Sequence, residues 1–216
     1  MTGTEEPAWK QRAVERSIRT AKLRAEQRVQ RFLDAAQAIM IEKGSTDFTV
    51  QEVVERSKQS LRSFYLQFSG KHELLLAIYE DALTRSADRI RAAASVQAEP
   101  LDQLRVSVEL LFEQSRPDSH AERPLFTDFA PQLLVSHPAE VKVAHAALLD
   151  LFTELVENVA AAGKLRSGLD PRRIATMTMQ TVMCIAQSTG GSDNATSPIT
   201  AEETWEFCTR GFTTSE

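Results

Sequence analysis

The sequence predicts an all-α protein, and three observations support this fold class. Apolar residues recur at intervals of three and four along most of the chain, whereas the alternation of a half-buried strand is missing. Glycine and proline number only 8 each among 216 residues, too few for the frequent turns of an all-β sandwich. Several of the predicted helices also begin at a capping residue or end at a glycine.

Composition narrows the class of protein further. Hydrophobic residues make up 42% and charged residues 25%, values typical of globular proteins and not of disordered chains. The two cysteines, Cys184 and Cys208, are too few for a disulfide framework and fit a reducing interior. No secretory signal is visible, and no apolar run approaches the roughly 18 residues of a membrane span. We therefore expect a soluble, cytoplasmic protein without a membrane partner.

The N-terminal part begins with a polar helix that leads into an amphipathic one. From about Ala8 to Arg31 the chain favours helix but offers little apolar surface of its own. Apolar residues then recur at helical spacing from Val29 to Met40, and Gly44 supplies the stop. The first core helix is therefore predicted to end at Gly44.

Two very short helices with a turn between them are predicted next. Thr49 and Glu52 form a capping box, in which the Thr49 hydroxyl accepts from an amide and the Glu52 carboxylate reaches back. Ser60 is the second N-cap. Behind it an apolar stripe at helical spacing comprises Leu61, Phe64, Tyr65 and Phe68. A long helix follows from about Glu73 to Ala94, and the arrangement is typical of a helix-turn-helix.

Residues 49–74 resemble the DNA-binding domain of the TetR family of transcriptional repressors. The family pattern reads T-V, a short apolar helix, a turn, S-x-x-T-L-Y-x-H-F and then S-K-E-x-L. The segment TVQEVVERSKQSLRSFYLQFSGKHEL matches this pattern in residue type and spacing, with small departures. Together with the helix that ends at Gly44, the resemblance covers about 45 residues and implies a homodimeric regulator of transcription.

The turn departs most from the family pattern. It carries Ser57-Lys58-Gln59 where the family has A-G-V, and Gln67 stands in place of histidine. Without the glycine, the bend is expected to form if it needs no positive φ. Leu61 is expected to take over the packing of the missing valine, since it shares the apolar stripe.

The resemblance implies that the second short helix enters the major groove of double-stranded DNA. Arg62 can bond guanine O6 and N7 together, and Gln67 can pair with adenine. The predicted DNA-binding residues are Thr49, Gln51, Ser60, Leu61, Arg62, Ser63, Tyr65, Gln67 and Lys71. Among them Lys71 is expected at a phosphate. Leu61 and Tyr65 are also compatible with core positions, and Arg62 with a solvated surface.

Charge is distributed unevenly along the chain. The net charge is −5, but residues 1–80 carry +2 and residues 81–216 carry −7. The basic residues of the N-terminal segment are Lys10, Arg12, Arg16, Arg19, Lys22, Arg24, Arg28 and Arg31, against only Glu15 and Glu26. A basic block on an acidic body suits contact with a polyanion at one end of the molecule. This extension is expected either to reach phosphates or the minor groove, or to be a solvated arm.

Beyond Pro100 the pattern changes to longer amphipathic helices. They span about 101–116, around 125–134, Pro138 to about Gly163, Asp170-Pro171 to about Gln187, and a last helix that begins with a capping box at Thr200. Together they predict a larger helical domain after the helix-turn-helix.

The helix over 171–187 has two apolar faces. One contains Ile174, Met177, Thr181 and Ile185, and the other contains Ala175, Met179, Val182, Met183 and Ala186. A helix that is apolar on two sides must be covered on two sides, by its own core and by a partner, unless one subunit buries it wholly. The resemblance implies that the last two helices form the homodimer. The predicted interface is Ala175, Met179, Val182, Met183, Ala186, Trp205, Cys208 and Phe212.

The resemblance also implies a small-molecule pocket lined by residues 100–165. The predicted effector-binding residues are Phe112, Phe126, Phe129, Leu133, Phe152 and Met177, each of which could instead belong to the core. Their apolar character favours a small hydrophobic effector.

The sequence contains none of the common motifs for catalysis, nucleotide binding or metal binding. The histidines His72, His120, His137 and His145 lack an HExxH pattern or a paired cysteine, and no G-x-S-x-G, P-loop or G-x-G-x-x-G occurs. We therefore expect no catalytic site, no cofactor and no metal, and hence no enzyme.

The sequence thus predicts a basic extension (1–27), a three-helix helix-turn-helix DNA-binding domain (28–75) and a larger helical effector-binding and dimerisation domain (76–216). The expected function is that of a ligand-responsive repressor that binds a palindromic operator as a homodimer and is released by its effector. The alternatives are an all-helical ligand-binding protein and a nonspecific nucleic-acid-binding protein.

Overall fold

The structure, a computed structural model, describes residues 7–116, 129–188 and 198–214. Within these residues the chain forms α1 (Ala8–Lys43), α2 (Val50–Ser57), α3 (Leu61–Tyr65), α4 (Lys71–Ala94), α5 (Pro100–Ser115), α6 (Ala130–Ser136), α7 (Pro138–Ala144), α8 (Ala146–Ala161), α9 (Pro171–Ser188) and α10 (Ala201–Phe212). The prediction of an all-α fold is confirmed. None of the helices described is both long and apolar enough to cross a bilayer.

Helix α1 is one continuous helix of 36 residues, about 54 Å long at 1.5 Å per residue. The side chains of residues 9–24 are all exposed to solvent, whereas Phe32 and Ala36 are fully buried. The basic extension and the first core helix are therefore a single rod whose first half projects from the molecule. Gly44 ends it in the left-handed conformation, with a φ of 61°, as predicted.

Helices α1 to α4 enclose the N-terminal part of the core. The ring of Phe32 on α1 meets the ring of Phe64 on α3 edge-on, with centroids 5.4 Å apart. Arg56 on α2 donates two hydrogen bonds of 2.6 Å to the Glu42 carboxylate on α1, which link the two helices at the surface. The three-helix arrangement is thus held by an aromatic centre and an ion pair on its surface.

Helix α4 connects the two halves of the molecule. It contacts α1 at one end and packs against α5, α7 and α8 along the rest of its length. Helices α5, α8 and α9 pack against one another and form the centre of the second half, with α10 on α5 and α9. The buried apolar residues from Phe32 to Phe212 form one continuous cluster. Helix α4 is therefore the element that both halves share.

The helix predicted from Pro138 to Gly163 is in fact two helices. Pro138 opens α7 as expected, but the helix is interrupted at His145, where α8 begins. The interruption coincides with a hydrogen bond of 2.9 Å between the His145 ring and the hydroxyl of Tyr79 on α4. This bond joins residues 66 positions apart, and helical periodicity carries no information about it.

The structure buries within the subunit the face of α9 that is predicted to meet a partner. The residues predicted to face a partner, Ala175, Met179, Val182, Met183 and Ala186, are at most 6% exposed and lie in the subunit's own core. Phe212 on α10 is buried as well. The opposite face is open, since Met177 is 65% exposed. Small residues explain why this face of α9 is the buried one, because Ala175 and Ala186 let neighbouring helices approach closely. The spacing of apolar positions does not distinguish small apolar residues from large ones.

Candidate DNA-binding surface and effector cleft

The turn between α2 and α3 is built on a lysine in a glycine conformation. Lys58 has φ 54° and ψ 38°, and its backbone N–H donates to the carbonyls of Glu55 and Val54. The turn therefore does need a positive φ, and it forms without glycine because Lys58 adopts that conformation. A non-glycine residue in this region costs roughly 1–2 kcal/mol, and two capping hydrogen bonds hold it there.

The missing valine of the turn is replaced by a polar contact. The side-chain amide of Gln59 donates a hydrogen bond of 2.9 Å to the backbone carbonyl of Arg28 on α1. The expectation that Leu61 takes over the valine's packing is wrong, because Leu61 is 44% exposed. The turn is thus fastened to α1 by a hydrogen bond rather than by an apolar side chain.

Helix α3 buries Phe64 and exposes a side that is partly polar and partly apolar. Ser60 caps it by accepting a hydrogen bond of 3.1 Å from the Ser63 amide, and Phe64 is fully buried beneath it. This anchoring leaves Leu61, Arg62 and Tyr65 exposed and Ser63 and Gln67 half-buried. Tyr65, for which the sequence allows either core or surface, is 57% exposed.

The residues predicted to flank this helix are held by their own contacts. Thr49 and Glu52 form the predicted capping box, and Lys43 lies 2.7 Å from the same carboxylate. The hydrogen bond from Lys43, together with those from Thr49, lowers the pKa of Glu52 to about 2. Gln51 is exposed at the start of α2. The ammonium of Lys71 lies 4.8 Å from the centre of the Phe48 ring, at the first residue of α4.

A basic groove runs beside the start of α3. It has a volume of about 440 Å³ and is lined by Arg24, Gln27, Arg28, Arg31, Lys58, Gln59, Ser60 and Ser63. The groove joins the base of the projecting part of α1 to the turn and to the N-cap of α3. Cations and hydroxyls at this spacing suit a phosphate backbone.

The predicted effector-binding residues do not form one site. Four of them, Phe112, Phe129, Leu133 and Phe152, are buried in the core. Met177 lies on the open face of α9, and Phe126 lies outside the described residues.

A different set of residues forms an open cleft of about 660 Å³ between α7, α8 and α9. Its lining comprises Leu134, Pro138, Val141, Lys142, His145, Leu149, Asp170, Arg172, Arg173, Thr176, Met179 and Gln180. The base is apolar, whereas three cationic side chains lie at the wall. The sequence does not predict this cleft, because its lining residues come from separate segments and do not form one periodic face.

One side chain belongs both to the cleft and to a contact with α4. His145 lines the cleft and is hydrogen-bonded to Tyr79, which is 2% exposed. Burial lowers the pKa of His145 and raises that of Tyr79, so both groups are neutral near pH 7. His145 therefore links the lining of the cleft to α4.

A second groove lies on the outer side of α9 and α10. It measures about 290 Å³ and is lined by Ile174, Met177, Thr178, Thr181, Phe207, Cys208, Gly211 and Phe212. Phe207 is 71% exposed beside it. Of the predicted interface residues, Cys208 and Phe212 border this groove.

An exposed third helix behind a short turn, a basic groove beside it and a helical second half with a cleft are the arrangement of a helix-turn-helix regulator. Residues 32–78 match the family model described as bacterial regulatory proteins, tetR family. The resemblance of residues 49–74 is thereby confirmed, and the chain carries the DNA-binding domain of the TetR family of transcriptional regulators.

Known proteins similar to this chain agree with that assignment. The HTH-type transcriptional activator FasR of Mycolicibacterium smegmatis is 27% identical over 157 residues, 72% of this chain and 71% of that protein. The structure of FadR from Bacillus subtilis in complex with stearoyl-CoA has a TM-score of 0.67 at 15% identity, covering 84% of this chain and 98% of that one. SmeT, the repressor of a multidrug efflux pump of Stenotrophomonas maltophilia, has a TM-score of 0.62 at 18% identity, covering 87% and 91%. At these identities the two structures establish the fold.

Proposed function

We propose that this TetR-family regulator represses transcription by binding a palindromic operator as a homodimer, and that an effector in the cleft releases it. The observation that carries the proposal is the path from the cleft through His145 and Tyr79 to α4, whose first turn follows the reading helix. The proposed division is an extension over 1–27, a DNA-binding domain over 28–75 and an effector and dimerisation domain over 76–216. Transcription from a reporter promoter, with and without the protein, tests repression against activation.

Sequence reading is assigned to the exposed side of α3. Arg62 projects from this helix, where a guanidinium can address a guanine edge, and Lys71 begins α4, where an ammonium meets the backbone. Arg62→Ala should therefore cost about 1–3 kcal/mol on the preferred operator and little on random duplex. Lys71→Ala should weaken binding to both duplexes alike. Arg89→Ala, an exposed arginine in the second half of α4, is the matched control.

The operator is first selected from a random duplex pool, and affinities are then measured at one salt concentration. Equal weakening on specific and random DNA for Arg62→Ala would reassign base reading to Gln51, Ser63 and Gln67. If the wild-type protein itself shows no preference over random duplex, the nonspecific nucleic-acid-binding alternative is correct.

The projecting half of α1 is proposed to bind phosphates without sequence preference. Its residues 9–24 are exposed, and Arg24 borders the basic groove beside α3. Deletion of residues 1–24 should make the dependence of log K on log salt shallower by about 0.9 for each phosphate that the shortened chain no longer neutralises. The core begins beyond this segment, so helicity of the remainder should persist. An unchanged slope would mean that the segment is a solvated arm.

The homodimer is proposed to form through the last two helices, as the sequence predicts, but with the open face of α9 in place of the face that contains Met183. Met177 and Phe207 are the large exposed apolar side chains beside the outer groove. Phe207→Glu should yield a folded subunit of 24.1 kDa in light scattering, where the wild-type protein has twice that mass. Val96→Glu, at a residue 80% exposed on the loop after α4, should leave the dimer intact. A wild-type monomer at micromolar concentration would exclude this interface.

The effector is proposed to be a hydrophobic molecule with an acidic group. Leu149 and Met179 offer apolar surface in the cleft, and Lys142, Arg172 and Arg173 provide positive charge at its wall. Dodecanoate should therefore bind more tightly than dodecanol, and Lys142→Ala with Arg173→Ala should remove the difference. Equal binding of the two probes to the wild-type protein would exclude an acidic effector.

Coupling between the cleft and the DNA is proposed to pass through Tyr79. Tyr79→Phe keeps the ring and deletes the hydroxyl that bonds His145. Dodecanoate should still bind this variant but should lower its operator affinity by a smaller factor than it does for the wild-type protein. If dodecanoate lowers the operator affinity of Tyr79→Phe by the same factor as for the wild-type protein, the coupling does not pass through Tyr79.

A further inference from the structure

Two histidines and a glutamate meet where α4 contacts the turn between α6 and α7. His72 lies in the first turn of α4, His137 lies between α6 and α7, and Glu140 lies in α7. One ligand atom of each lies within 4.8 Å of the others. The Nε2 atom of His72 is 2.8 Å from a carboxylate oxygen of Glu140, and the two imidazole centroids are 4.7 Å apart. No metal motif is visible in the sequence because 65 positions separate the two histidines.

The hydrogen bonds around His137 leave one of its nitrogens available for a ligand bond. The Ser136 hydroxyl donates to the carbonyl of Gln132, at 2.7 Å. Its oxygen must therefore accept from His137, whose Nδ1 lies 2.7 Å away and carries the ring proton. In the neutral ring, the lone pair is therefore on the Nε2 atom of His137, and neutral imidazole is the form that binds metals.

The surroundings allow the three groups to converge. All three side chains are partly or largely exposed, and the ring of Phe129 lies 5.6 Å from that of His72 on the inner side. Metal bonds of about 2.0–2.2 Å need ligand atoms roughly 3.3 Å apart in a tetrahedron. Rotations of these exposed side chains can supply that contraction.

We propose that His72, His137 and Glu140 form a binding site for a divalent transition metal of the Zn²⁺ class. Two imidazole nitrogens and one carboxylate oxygen are a ligand set that Zn²⁺ accepts, and a water molecule would complete the tetrahedron. Binding would displace the proton that His72 shares with Glu140 and release it to solvent.

A metal at this position would join the two functional halves. His72 follows the last residue of the reading helix, Tyr65, by seven positions, whereas Glu140 lies on α7, which also lines the cleft through Val141 and Lys142. The bond network would therefore fasten the first turn of α4 to α7. The site requires no DNA or effector to be detected, so its test is independent of the proposed function.

The test uses the full-length chain without a polyhistidine tag, stripped of metal with a chelator. Zn²⁺ is titrated in competition with a chromophoric chelator, and Co²⁺ serves as a spectroscopic substitute. We expect one Zn²⁺ per subunit and Co²⁺ absorption of tetrahedral intensity without thiolate charge-transfer bands. His137→Ala and Glu140→Gln should each weaken Zn²⁺ binding by at least about tenfold.

Glu157→Gln is the matched control, since Glu157 is an exposed carboxylate on α8 outside the cluster. Circular dichroism verifies that each variant keeps its helices, which exposed positions should permit. Absence of stoichiometric Zn²⁺ binding would overturn the proposal. So would binding that His137→Ala and Glu140→Gln leave unchanged, or Co²⁺ spectra with sulfur bands, because the metal would then be held by Cys184 or Cys208.

Discussion

Replacing Lys58 by glycine should stabilise the protein and weaken its hold on DNA at the same time. The stability gain follows from the backbone, because Lys58 has a φ of 54° at the end of α2. Relief of the left-handed conformation is worth roughly 1–2 kcal/mol. Glycine also gains freedom in the unfolded chain, which costs about 0.4–1 kcal/mol. The net expectation for Lys58→Gly is a gain of about 0.8 kcal/mol in the free energy of unfolding, with an upper bound of about 1.6 kcal/mol.

Urea unfolding at a fixed protein concentration measures this gain. The midpoint should rise with an unchanged slope, and for a chain of this size Tm should rise by about 1–4 °C. Lys58→Ala is the matched control, because it removes the same side chain but keeps the strain. If Lys58→Ala is as stable as Lys58→Gly, the backbone at this turn is not strained and the reasoning fails.

The same pair of variants separates stability from DNA contact. Lys58 borders the basic groove with Arg24 and Arg28, so both variants should lack one cation there. Each should show a salt dependence shallower by about 0.9, regardless of its stability. A difference between the two slopes would mean that the conformation of the turn, and not its charge, governs binding.

Glu52, His145 and Met183 each allow a further prediction about stability. The low pKa of Glu52 means that its contribution is complete above about pH 4.5 and is lost as the pH falls toward 2, so Glu52→Gln should flatten that part of the unfolding profile. Burial lowers the pKa of His145, so below pH 6.5 the unfolded chain takes up the proton more readily than the folded chain. The free energy of unfolding should therefore decrease as the pH decreases below 6.5, and His145→Gln should reduce this decrease. Met183→Ala should cost about 2–5 kcal/mol yet leave a dimer, since Met183 is only 6% exposed within its own subunit. A folded Met183→Ala monomer would instead support the face of α9 that the sequence predicts.

Local signals in the sequence predict the helix starts well. Thr49, Ser60 and Thr200 are all N-caps, and Asp170 accepts a hydrogen bond from the Arg173 amide as a helix start requires. Such signals depend on contacts between residues three or four positions apart, so they can be recognised from the sequence alone. The exposed positions of α3 follow for the same reason, since burying Phe64 determines which way its neighbours point.

Contacts between distant segments cannot be predicted in this way. Periodicity shows that α9 has two apolar faces but not which one its own chain covers, so it places Met183 on the wrong side. The left-handed conformation of Lys58 is unexpected because the residue type argues against it, although the capping geometry requires it. The cleft and the cluster around His72 each combine side chains from separate helices, and only the packing of α7 against α4 brings them together.

Helix α7 is short, yet on the proposed function it is the element through which the cleft acts on α4. Val141 and Lys142 line the cleft, Glu140 is bonded to His72 at the first turn of α4, and His145 is bonded to Tyr79 two turns later. The two bonds attach the α7 region to α4 at positions two turns apart, so an effector in the cleft has two contacts through which it can act on α4. Linkage makes this reciprocal: the factor by which dodecanoate lowers operator affinity must equal the factor by which the operator lowers dodecanoate affinity. Measuring both factors on one preparation, with Glu140→Gln beside Tyr79→Phe, decides whether the two attachments share the coupling or one of them carries it alone.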